Sequence, residues 1–215
     1  MKKIFTFFIA TLLVGITNAQ FTEDFESGVP GNFTETINSG STGWGSTCSG
    51  TMGGQTCPIS GGTSADFYTS NYNGDNASLT TPTLDLSAGG YQLTFNHSQM
   101  MWSTDQNELY VEISIDNGAT WIGIVNFTSA ILTATLETYI LDNYATTTAT
   151  TKIRFTGFSN WAYAIVLDDI AVSLAPSCLD PTSLSASNIT SSGGDLSWTA
   201  GGTETNWNVV YDTAG

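Results

Sequence analysis

The chain has 215 residues, 19 of them acidic against four basic ones and a single histidine, for a formal net charge of −15. That charge excludes a protein that works by binding DNA, RNA or anionic lipid, whose phosphates it would repel, and it favours a hard cation such as Ca²⁺ as cofactor. One histidine argues against most zinc enzymes and against Ser-His-Asp or Cys-His catalysis, while 40% hydrophobic and 12% aromatic residues suffice for a packed core.

Met1 to Ala19 combines a basic start, an apolar run from Ile4 to Ile16 and a small, polar end before Gln20. The run is too short to span a bilayer and has the proportions of a secretory signal, which makes the mature chain secreted or surface-displayed, without membrane insertion. Its removal leaves Lys152 and Arg154 as the only lysine and arginine against all 19 acids. Export gives the cysteines an oxidising compartment. Cys48 and Cys57 flank the loop SGTMGGQT and are expected to form a disulfide, contributing about 2.5–3 kcal/mol. Cys178 is left over.

From Phe21 onward the pattern has period two. A first strand is expected over Phe21–Glu26, with Phe21 and Phe25 on one face and Asp24 and Glu26 on the other. Further strands are expected over Asn32–Ile37, Asp66–Tyr68 and Ala77–Leu79. Tyr91, Leu93, Phe95 and His97 then share one strand face, and Leu109, Val111, Ile113 and Ile115 another. Asp116-Asn117-Gly118 supplies a tight hairpin turn, after which Trp121, Gly123, Val125 and Phe127 return in core phase. The last strands of this region are expected over Glu137–Leu141, Thr151–Gly157 and Ala162–Leu174. Many short strands and no helical period make the fold class all-β.

Composition changes near Ala175-Pro176-Ser177-Cys178, and three strand-like pieces follow at Leu184–Ile189, Asp195–Thr199 and Asn206–Asp212. Pro181, Leu184, Ala186, Leu196, Trp198, Trp207 and Tyr211 resemble the opening strands of a fibronectin type III domain. That resemblance implies an incomplete sandwich over residues 178–215, because such a domain needs seven strands. In the region before it, residues 20–175, the ordered set is Asp24-Phe25-Glu26-Ser27-Gly28-Val29-Pro30, Leu79-Thr80-Thr81-Pro82 with Leu84-Asp85-Leu86, Tyr91-x-Leu93-x-Phe95, Leu109 to Ser114 with Asp116 to Trp121, Ile153-Arg154-Phe155 and Leu167-Asp168-Asp169-Ile170. In that order these motifs resemble MAM-like domains, especially the cleaved-adhesin modules of bacterial surface proteins. The resemblance implies a jelly-roll β-sandwich, extracellular display, an adhesive or carbohydrate-binding role and structural calcium. The cysteine framework of animal MAM domains is absent here.

Three constellations carry possible chemistry. Asp24 and Glu26 on the first strand face Asp168 and Asp169 on the last if those strands are neighbours, and a buried carboxylate pair asks for a positive partner. Calcium held by these four residues, with Asp75 and Asn76 added, is the expected metal site. The competing reading is that each carboxylate caps backbone N–H groups or pairs with Arg154. Asp24 and Glu26 also have the alternate spacing of a glycosidase pair, but no Trp-lined cleft surrounds them. Trp44, Tyr68, Tyr72, Trp102 and Trp161 fall in or near loops, and Trp44, Tyr72, Trp102 and Trp161 are the expected sugar-stacking residues. His97 reads as a hydrogen-bonded, semi-buried structural histidine rather than a catalyst. The function these features imply is non-catalytic extracellular adhesion to glycans or to surface or matrix proteins. The alternatives are an accessory substrate-binding domain of an extracellular hydrolase whose catalytic part lies outside this chain, and an architectural spacer.

Overall fold

In the computed structural model the described residues are 19–47, 50–52, 55–57, 59, 62–69, 73–176, 181–190, 193–201, 205–207 and 209. The signal-like segment before Ala19, and with it Cys48, Tyr72 and Cys178, lies outside them. The chain divides into two compact units after Leu174.

The first unit contains β1 (Ala19–Glu23), β2 (Thr34–Ser39), β3 (Trp44–Gly45), β4 (Gly50–Met52), β5 (Gln55–Cys57), β6 (Ala65–Tyr68), β7 (Asn73–Thr80), β8 (Tyr91–Gln99), β9 (Met101–Trp102), β10 (Asp105–Gln106), β11 (Glu108–Ser114), β12 (Ile122–Phe127), β13 (Ile131–Ile140), β14 (Lys152–Asn160) and β15 (Ala164–Leu174). One sheet has the order β13-β8-β15-β6-β3, with β1 also paired to β15. The other has the order β12-β11-β14-β7-β2. Pairing is antiparallel in both sheets. This is an all-β sandwich, as the period-two pattern implies, and a jelly roll, as the resemblance implies.

Leu93 and Phe95 of β8 meet Leu109, Val111 and Ile113 of β11 and Ile153 and Phe155 of β14 in one core between the sheets. Each fully buried side chain of this kind contributes about 1.5–3 kcal/mol. Phe95 and Phe155 join the layers edge-to-face at 5.2 Å. The layers are in close contact where Gly157 faces Phe67: a Cβ on Gly157 would lie 2.6 Å from the ring. The turn after β11 takes the positive φ that its sequence implies, at Asn117 (61°) and Gly118 (94°).

Three local departures correct the strand phases. β1 ends at Glu23, and Phe25 has φ 50°, so Asp24 and Glu26 do not share a strand face. β12 carries a bulge at Ile124, because Val111 pairs with Val125 but Glu112 with Gly123. The extra residue returns Ile124 to the core and puts Trp121 outside it, where Arg154 lies 4.0 Å over its ring. In β15, Asp168 pairs with Asn96 and Ala171 with Thr94, so a second bulge falls at the paired aspartates.

In the second unit β16 (Thr182–Ser187) pairs antiparallel with β17 (Asp195–Thr199). Trp198 and Trp207 meet edge-to-face at 5.4 Å. Most of the expected third piece, Asn206–Asp212, lies outside the described residues.

Candidate functional site

The first candidate is the acidic junction. β1 does run beside β15, with Glu23 opposite Ile170, so the first and last strands of this unit are neighbours. The bulge then separates the two aspartates. Asp169, at φ 49°, is exposed and its Oδ2 accepts a hydrogen bond from Asn96 at 2.9 Å. Asp168 is 1% exposed; its Oδ2 accepts from the Ser64 hydroxyl at 2.9 Å and its Oδ1 from the Asp169 N–H at 2.9 Å. Burial pushes the Asp168 carboxyl up to about 6, with the charges of Asp169 and Glu26 acting the same way. Glu26 holds the Gly62 N–H between both oxygens at 2.7 and 2.8 Å, and Asp24 accepts from the Glu26 N–H at 3.2 Å.

Asp75 and Asn76 belong to β7 in the other sheet. Asp75 accepts from the N–H of Thr42 at 2.9 Å, and its hydrogen bonds to Thr42 hold its carboxyl below the usual range. Asn76 accepts from Asn38 at 2.9 Å. Among the described residues no group of three or more His, Cys, Asp or Glu side chains comes together that could hold a metal. A Ca²⁺ ion takes six to eight oxygens, and the expected six-residue set does not assemble into one such centre. Arg154 is no partner here either: it is on β14 and binds Glu112.

The second candidate is the aromatic set. Trp44 is 6% exposed, packs on Phe67 at 5.8 Å and donates its indole N–H to the Ala77 carbonyl at 3.0 Å, tying the two sheets together. It is a core residue, because β3 is short but sits at the end of a sheet whose inner face it completes. Trp102 and Trp161 are exposed, at 43% and 50%. Trp102 packs edge-to-face on Tyr163 at 5.0 Å.

Trp161 has φ 64°, a conformation costly for a bulky side chain and sustained only when the surroundings impose it. They do so through a buried network. Asn107 Oδ1 accepts from the N–H groups of Asn160 (2.8 Å) and Ala162 (3.2 Å), on either side of the tryptophan. Asn107 Nδ2 donates to Thr69 Oγ1 at 3.2 Å, and the Thr69 hydroxyl donates to the Ala162 carbonyl at 2.8 Å. The turn is fixed from below while the indole stands in solvent.

The third candidate is the outer face of the five-stranded sheet, which alternation marks as polar without grouping its residues. Asn38 donates to Asn76 and to Ser78, and Ser78 shares a hydrogen bond with Thr156. Arg154 donates through Nε and Nη2 to Glu112 Oε2 at 2.8 and 2.7 Å. Two adjoining clefts, of about 260 and 230 Å³, share Asn38, Ser78 and Arg154 in their walls.

No protein-family model matches the sequence, and no curated protein matches it. Solved structures do. The chain is similar to the K2 cleaved adhesin domain of Lys-gingipain (TM-score 0.54, 16% identity, 72% of this chain and 98% of that one). It is also similar to the K1 cleaved adhesin domain of Lys-gingipain from Porphyromonas gingivalis W83 (0.53, 19%, 72% and 98%) and to the K3 domain (0.51, 17%, 71% and 97%). At these identities the likeness is one of fold.

Proposed function

We propose that this chain is a secreted or surface-displayed, non-catalytic binding module that takes glycans on Trp102 and Trp161. The observation that carries the reading is Trp161, a large aromatic held outward at positive φ by buried Asn107, since backbone strain persists where function uses it. A flat, exposed indole is the natural stacking surface for a pyranose ring. The fold shared with adhesin domains supports a binding role. Asp24 and Glu26 leave the strand that would have aligned them as a glycosidase pair. A glycan array with the full chain and Trp161→Gly tests the reading: hits that disappear in the variant are expected. Silence of the wild type on glycans and matrix proteins removes it, and turnover of polysaccharide or peptide overturns the non-enzymatic part.

Two further elements are proposals with their own tests. Calcium stabilisation rests on the acidic charge and on Asp168, buried with no Lys or Arg partner among the described residues. EGTA should then lower the melting temperature by several degrees, and an unchanged value ends it. The Cys48–Cys57 bridge rests on the exported, oxidised context. Mass spectrometry without reductant should show that pair, and Cys48 joined to Cys178 would refute it.

A further inference from the structure

Apart from Lys2 and Lys3 in the signal-like segment, the sequence contains two lysine or arginine residues, and both project from β14 onto the outer face of the five-stranded sheet. Their circumstances differ. Arg154 is held by Glu112 and stacked on Trp121, so its charge is matched and its side chain fixed. Lys152 has no carboxylate within ion-pair distance among the described residues, although the chain carries 19 acids. Asp116, in the turn that follows Ser114, the β-partner of Lys152, is engaged instead by the hydroxyl and N–H of Thr120 and by the Ser114 hydroxyl.

The cleft of about 230 Å³ beside Lys152 is lined by hydroxyls and amides (Thr34, Thr36, Thr80 and Asn117 among them) and by Trp121. Among the described residues that line it there is no Asp or Glu. An acid-rich protein has here a cleft whose lining carries two cations and no acid: Glu112 matches Arg154 from the adjoining cleft, and Lys152 is left unmatched. A wall of neutral donors and acceptors suits a polyhydroxyl ligand, and an unpaired ammonium in that wall suits a ligand anion.

We propose that this cleft is a second binding site, distinct from the loop-end tryptophans, for an acidic saccharide whose carboxylate or sulfate group pairs with Lys152. Arg154 acts as a positioning residue: fixed on Glu112, it holds Trp121 flat beside the lysine. The class is a saccharide rather than an acidic peptide because the remaining lining is hydroxyl and amide, with no second free cation to match a run of carboxylates.

The test uses the full chain and two matched probe pairs: polygalacturonate against its methyl ester, and dextran sulfate against dextran. Affinity electrophoresis or calorimetry should show tighter binding to the acidic member of at least one pair, and which pair responds identifies the anion. Lys152→Gln should weaken that binding about tenfold, the effect of one charge-assisted hydrogen bond, without shifting the melting temperature. Trp161→Gly should retain the preference, so failure of the loop-end site and failure of this one are read separately. No preference for either acidic member, a preference that survives Lys152→Gln, or equal competition by poly-glutamate overturns the proposal.

Discussion

At Trp161 the chain holds a bulky side chain in a backbone region that glycine occupies freely. Because the indole is half exposed, little burial is lost on removing it, whereas the backbone strain is relieved. Trp161→Gly should therefore raise stability by about 1 kcal/mol while removing glycan binding. Thermal melting read alongside the array checks this; a destabilised variant would mean that the indole is a packing residue. The sequence shows Asn160-Trp161 as a turn, but not the positive φ. The residue that imposes it, Asn107, is 53 positions from Asn160, and no local pattern joins them. Trp44 misleads for a related reason. It sits among glycines and serines, as a loop residue would, yet it packs on Phe67, which is 23 positions away in sequence.

Among the elements, alternation finds the strands and misses the bulges. The inward residues Leu93 and Phe95 or Leu109, Val111 and Ile113 follow strict period two because their strands are regular. In β15 the inward set is Ile165, Leu167, Ile170 and Val172, a three-residue step across the bulge. A single period therefore cannot describe that strand, nor tell which of Asp168 and Asp169 is buried. The same effect at Ile124 reverses the face of Trp121. Threonine-rich β13 is longer than its apolar residues suggest because it lies at the sheet edge with one row largely in solvent. Gly157 has the opposite character: it is small because Phe67 from the facing sheet lies against it. Gly157→Ala should cost about 1–3 kcal/mol by overpacking, seen as a lower denaturation midpoint. A neutral result would show that Phe67 can move aside.

Over the whole molecule, two buried titrating groups act on stability in opposite directions. His97 is fully buried, neither ring nitrogen has a hydrogen-bond partner among the described residues, and Glu137 lies 3.9 Å from Nδ1. Burial pushes its pKa down from 6.5 to about 4, against a smaller opposing effect of Gln99. As pH falls from above 6.5 toward 4 the unfolded chain takes up this proton first, so the histidine's contribution to stability is progressively lost. Asp168 runs the other way. Its folded value, about 6 against 3.8, means that the folded state binds the proton more tightly, so its contribution is present at low pH and is lost as pH rises through 6. The windows overlap between about pH 4 and 6, where the two slopes oppose each other. The other shifted carboxyls, Asp75, Asp85 and Asp116, are lowered and act only below about 3.8. Melting temperatures measured in EGTA should therefore be nearly flat for the wild type from pH 6 to pH 4. They should fall over that range in Asp168→Asn, where the histidine acts alone, and rise in His97→Leu, where the aspartate does. Three parallel profiles would show that neither group titrates in its buried position.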